Sequence, residues 1–175
     1  MDRILLHTCC AGCAYGVAET LRKEFSLEPT LFFYNPNIQP YEELKRRREA
    51  LVAFASTLNL AYLIAWYDAE EHLNFIKPFS ARHDRCLRCY SLRLSVSFLN
   101  ALEKGFTAIS ATLLASPHQN HESIKEIGNY LSFFYGIPFL YVDFRPSYYQ
   151  YLKKYKEAGF YHQKYCGCIF SLEEK

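Results

Sequence analysis

The sequence predicts an α/β fold: a single doubly wound, mostly parallel sheet of about five strands flanked by helices, Rossmann-like in plan. Three observations predict it. Short apolar runs of strand length alternate along the chain with longer segments whose apolar residues recur at helical spacing. Half of the 175 residues are hydrophobic, enough to fill an ordinary core. No repeat, linker or low-complexity stretch divides the chain, so residues 1–175 read as one domain, with a C-terminal tail from about residue 160 that can fold back over a site.

Taken in order, the candidate strands are Arg3–Leu6, Thr30–Tyr34, Ala61–Trp66, Phe106–Ser110 and Phe139–Val142. Helical patterns lie between them. Leu44, Leu51, Phe54 and Leu58 share one face, as do Leu87, Tyr90, Leu94, Phe98 and Ala101, and again Ile124, Ile127, Leu131 and Phe134. Ser116-Pro117-His118-Gln119 reads as a helix start, with a capping serine, proline at the first helical position and a capping-box glutamine. Gly136 with Pro138 beyond it reads as the stop of that helix.

The chemistry is carried by cysteine. All seven cysteines fall in three tight groups: Cys9-Cys10-Ala11-Gly12-Cys13, Cys86-Leu87-Arg88-Cys89 and Cys166-Gly167-Cys168. The first group follows the first strand and opens the first helix, where open α/β sheets place their ligands. Cys86 and Cys89 are spaced to share one face near a helix start, whose partial positive charge favours thiolate. The odd count and the short opening run Ile4-Leu5-Leu6, too brief for an export signal, argue against a secreted disulfide framework. No apolar stretch approaches the ~20 residues of a membrane span. A cytoplasmic protein with no membrane partner is expected, and clustered thiols there bind metal or do redox chemistry.

Two kinds of metal centre suit such spacing. Cys10 and Cys13 facing Cys86 and Cys89 would make a structural zinc site, as in a non-catalytic zinc-binding protein that binds RNA. That arrangement leaves three cysteines without work and does not explain adjacent Cys9 and Cys10. An iron–sulfur cluster uses the same residue type and gives the rest a role. The Cys-Gly-Cys pair could form a small, strained and therefore labile disulfide, or join Cys13 around a second metal. A nucleotide-activating phosphate loop is not expected at the first turn, which carries three thiols and one glycine.

The net charge is only +2, but it is unevenly spread, through Lys45-Arg46-Arg47-Arg48, then Arg82, Arg85, Arg88 and Arg93, then Lys153, Lys154, Lys156 and Lys164. With 15 tyrosines and 14 phenylalanines, the chain has the residue types that meet phosphates and stack on unpaired bases. Arg46, Arg47 and Arg48 with Lys153, Lys154 and Lys156 are the phosphate candidates. Tyr34, Tyr90, Tyr148 and Tyr149 are the candidate stackers.

The motifs Leu6–Cys13, Tyr34-Asn35-Pro36-Asn37-Ile38, Arg85–Tyr90 with Arg93-Leu94, Thr112–His118, Asp143-Phe144-Arg145 and Tyr165–Cys168 resemble, in order, those of the QueH-type epoxyqueuosine reductases. The resemblance runs from residue 4 to about 171 and departs locally at Gly12, where much of the family is expected to carry proline. It implies an enzyme that reduces epoxyqueuosine to queuosine at the wobble position of tRNA. It also implies a [4Fe-4S] cluster on Cys9, Cys10, Cys86 and Cys89, a redox-active pair at Cys166 and Cys168, and Cys13 as a candidate ligand of a second iron ion. The partners implied are tRNA with epoxyqueuosine in its anticodon loop and an unidentified electron donor. A proton donor is also required. His83 and Asp84 beside the second cysteine group are the candidates, with His7 and Asp143 in neighbouring motifs.

Overall fold

In the computed structural model, which describes residues 2–173, four strands form one parallel sheet: β1 (Asp2–His7), β2 (Leu27–Phe33), β3 (Tyr62–Ile64) and β4 (Ala108–Ala111). Their order is β3-β2-β1-β4. β1 pairs with β2 and β4 and lies at the centre, and Ile4, Leu5 and Leu6 are wholly buried, as expected for a parallel strand covered on both faces. Helices α1 (Ala11–Glu24), α2 (Tyr41–Thr57), α3 (Ala69–Ile76), α4 (Arg82–Glu103), α5 (His121–Tyr135), α6 (Arg145–Glu157) and the short α7 (Phe170–Glu173) surround it.

The fifth strand is reduced to one parallel bridge, Ile109 to Phe139. The reason is local. β4 has only four residues before the chain tightens into the 3-10 turn Thr112–Ala115, so it offers no further ladder. The Ser110 hydroxyl donates to the Leu140 carbonyl (2.9 Å) instead.

Two further expectations are corrected. α5 starts at His121, not at Pro117: Ser116 Oγ accepts from the His118 N–H in a tight turn, and Asn120 Oδ1 caps the helix by accepting from the Ser123 N–H (3.1 Å). Gln119, expected in a capping box, accepts from the Tyr90 hydroxyl (2.7 Å). Phe134 is exposed, and Tyr135 packs on Phe98 in its place. The Gly136 stop holds, in the left-handed conformation that a helix C-terminus favours.

β2 and β3 build outward on one side of β1, and the chain then returns to place β4 on the other. The strand order reverses between β1 and β4, which makes their carboxyl ends the crevice of the fold.

Candidate functional site: a cysteine-lined cleft

The crevice is set by what leaves β1 and β4. His7 ends β1, Thr8 and Cys9 turn the chain, and Cys10 is the N-cap of α1. Across the switch point the Cys9 N–H donates to Thr112 Oγ1 (3.2 Å), tying the two loops together. The Cys9 and Cys10 sulfurs stand 3.9 Å apart, and Cys9 Sγ lies 3.6 Å from the Thr112 hydroxyl. The three thiols of this group share charge unequally. Hydrogen bonds from Cys10 and Cys13, together with the Arg93 charge, hold Cys9 well below the usual thiol range against the effect of burial. Cys13 is pushed well above that range by its hydrogen bonds to Cys10 and Cys9 and by burial. Cys10, despite the hydrogen bond from Cys13, is raised to about 12 by its bond to Cys9 and by burial. Of the three, Cys9 is the one whose thiolate the surroundings favour, at the positive end of a helix.

α4 supplies the opposite wall. Cys86 and Cys89 lie on its cleft side, and Arg93, one turn beyond Cys89, is buried at the base of the cleft. Its guanidinium donates to Asn35 Oδ1 (2.9 Å) and reaches Cys89 Sγ (3.8 Å). The Asn35 amide in turn donates to the Thr8 carbonyl (2.8 Å), so α4 and the two strand-end loops are braced together. Burial raises the Cys89 thiol to about 11 and opposes the pull of Arg93; burial and the Cys166 charge raise Cys86. His7, wholly buried, is lowered to about 3 by burial and by Arg93, so it is neutral and hydrogen-bonds through Nε2 to the Tyr34 carbonyl (3.0 Å).

The tail closes the third side. Arg47, buried on α2, pairs with Glu43 (2.7 Å) and donates to the carbonyls of Tyr165 (2.9 Å) and Cys166 (3.1 Å). The Gln39 N–H donates to the Gly167 carbonyl (2.8 Å). Gly167 has φ +109°, and a Cβ there would sit 2.9 Å from Ile38, so the turn between Cys166 and Cys168 needs glycine on both counts. The Arg85 guanidinium lies over the Phe170 ring (4.5 Å) and holds the end of the tail to α4.

These walls enclose a cleft of about 410 Å³ lined by Cys9, Cys13, Cys86, Cys89, Cys166 and Cys168. Cys10 is buried directly behind Cys9. All seven cysteines are free thiols. The structure thus brings the three sequence groups to one place. It does not bring His83 or Asp84 there: both are exposed on the first turn of α4 and neither lines the cleft. Asp143 is exposed and paired with Arg145, which holds its carboxyl down at about 2. His162, passed over in the sequence, does line the cleft, and its buried Nε2 has no hydrogen-bond partner among the described residues. Its place four residues before Cys166 was the available signal. Arg47 is not free to bind phosphate, and Tyr90 is a buried core residue.

The donor set suits a thiolate-bound metal cluster. Six sulfurs face one cleft, and a seventh stands behind it, with a buried guanidinium against them that is best satisfied by net negative charge. Among the described residues no group of three or more His, Cys, Asp or Glu side chains is arranged to hold a metal ion. The fit is therefore one of ligand chemistry and charge alone.

Comparison with known proteins identifies the family. The family model described as epoxyqueuosine reductase QueH matches residues 4–174. Among curated relatives, the epoxyqueuosine reductase QueH of Thermotoga maritima is 37% identical over 186 residues, covering 100% of this chain and 93% of that protein. The one from Acinetobacter baylyi is 33% identical, covering 99% and 82%. A solved structure, the U34-tRNA thiolase NcsA from Methanococcus maripaludis with its [4Fe-4S] cluster, shares the fold at 10% identity and a TM-score of 0.60, covering 99% of this chain and 63% of that one. Its likeness concerns fold alone. The close relatives are named as reductases, which sets aside a non-catalytic zinc protein. The chain belongs to the epoxyqueuosine reductase QueH family.

Proposed function

We propose that this chain reduces epoxyqueuosine to queuosine at the wobble position of tRNA, and that the cysteine cleft is where the reduction occurs. The observation that supports this most is the convergence of three cysteine groups around buried Arg93 at the switch point of a QueH-family fold. Cys9, Cys10, Cys86 and Cys89 would hold a [4Fe-4S] cluster, which when bound supplies one-electron transfer.

In the reaction both C–O bonds of the epoxide break, a C=C bond forms, two electrons and two protons are taken up, and the oxygen leaves as water. Cys166 and Cys168 balance this as a pair: two thiols oxidise to one disulfide, releasing two electrons and two protons, and the electron donor restores them. Arg47 holds the carbonyls of Tyr165 and Cys166, at the start of this pair. Arg93 favours the thiolate at Cys9 and opposes the effect of burial at Cys89. His162 lines the cleft and its buried Nε2 has no hydrogen-bond partner among the described residues, so it is better placed to relay a proton than the exposed His83 and Asp84, although burial, Lys156 and Arg47 lower its pKa. Iron in excess of the cluster would instead put a second ion on Cys13 with the tail thiols.

The test is turnover of epoxyqueuosine-containing tRNA with a chemical reductant. Cys166→Ser and Cys168→Ser should each abolish it while leaving tRNA binding intact. Unchanged turnover in either variant would remove the tail from the electron path.

A further inference from the structure

A second cleft opens beside the first and contains no cysteine. It lies at the carboxyl ends of β2 and β3, has a volume of about 470 Å³, and is lined mainly by Phe33, Ile38, Tyr41, Arg48, Trp66 and Tyr67. Trp66 is the chain's one tryptophan and is 85% exposed, and Tyr41 is 60% exposed. Unlike the exposed aromatics elsewhere on the surface, these two stand at a cleft, where a ligand can stack on them. Deeper in, the Tyr67 hydroxyl is buried with no hydrogen-bond partner among the described residues, and burial keeps it protonated. It is a donor awaiting an acceptor. The Arg48 guanidinium lies close enough to Tyr67 to act on it, and Lys45 and Arg46 are exposed on the same helix.

The two clefts share a wall. Asn37 lines the cysteine cleft, Ile38 and Gln39 line the second, and Gln39 is bonded to Gly167 between the tail cysteines. A strand that puts one nucleotide into the cysteine cleft can cross this wall and reach the second. An indole face, a hydroxyl donor and a guanidinium are the groups that read an unpaired base: stacking on its face, a hydrogen bond to its edge and charge for its phosphate.

We propose that the Trp66 cleft takes an unpaired base of the anticodon loop next to the wobble nucleotide, stacked on Trp66, with Tyr67 on its edge and Arg48 on its phosphate. This rests on the tRNA reading above and adds the site that holds the loop open.

Because Trp66 is the sole tryptophan, its fluorescence reports this cleft directly. The protein would be titrated with anticodon stem-loop RNA, intact or carrying an abasic nucleotide beside the wobble position. Intact RNA should quench the emission. The abasic RNA should bind about tenfold or more weaker and quench little. Trp66→Ala should weaken intact RNA by a similar factor and be indifferent to the abasic change, while Trp66→Phe keeps most of the affinity. Tight RNA binding with unaltered emission, and unchanged affinity in Trp66→Ala, would overturn the cleft assignment and leave the tRNA reading standing. No binding of the stem-loop at all would overturn both. Quenching by a free nucleoside monophosphate that stem-loop RNA does not displace would assign the cleft to a separate nucleotide and so overturn the proposal.

Discussion

Arg47 shows how far a single residue can differ from its appearance in the sequence. In the run Lys45-Arg46-Arg47-Arg48 it reads as one more surface cation, yet it is buried, ion-paired to Glu43, and holds two carbonyls of the C-terminal tail. Arg47→Met should destabilise the fold by about 3–5 kcal/mol, because Glu43 is then left buried without its charge partner. It should also free the tail, seen as faster tryptic cleavage at Lys164 than in the parent protein. The cysteines were legible one by one because their spacing is local. The arginines were not, since whether Arg47 or Arg93 turns inward depends on partners such as Cys166 and Asn35 that lie far off in sequence.

Among the elements, strands buried on both faces announced themselves. β1, with three wholly buried apolar residues in a row, was placed within a residue of its limits. The fifth strand was not, because Phe139–Val142 has strand composition but β4 is too short to pair with it. The same region explains a glycine that sequence reading gave no role. A Cβ on Gly128 of α5 would lie 2.2 Å from Phe139, so the helix packs directly on that ring. Gly128→Val should cost about 1–3 kcal/mol through overpacking and lower the melting temperature accordingly. An unchanged melt would mean that α5 stands further from the sheet edge than this. The start of α5 differs because Ser116-Pro117 and Asn120 both carry start signals, and the Asn120 cap together with the Tyr90 contacts favours the later one.

At the scale of the whole molecule, stability should fall with acid through buried histidine. His72 on α3 is 3% exposed, and burial followed by the Arg93 charge lowers it to about 4. An unfolded histidine titrates near ~6.5, so the unfolded chain binds the extra proton first. Stability is full above that value and is lost as pH falls toward the folded one. His72 alone should contribute about 2 kcal/mol of loss between pH ~7 and pH ~5. Denaturant melts at both values should show it, and His72→Leu should shrink the difference by that amount. An equal difference in the variant would place the acid sensitivity elsewhere.

The fold gathers cysteines from β1's end, from α4 and from the tail into one cleft, and the account depends on what those sulfurs hold. The protein should be purified without oxygen, its visible spectrum recorded, and its iron, acid-labile sulfide and zinc measured together. A brown protein with about four irons and about four sulfides per chain is the predicted result. A colourless protein carrying zinc and no sulfide would contradict it.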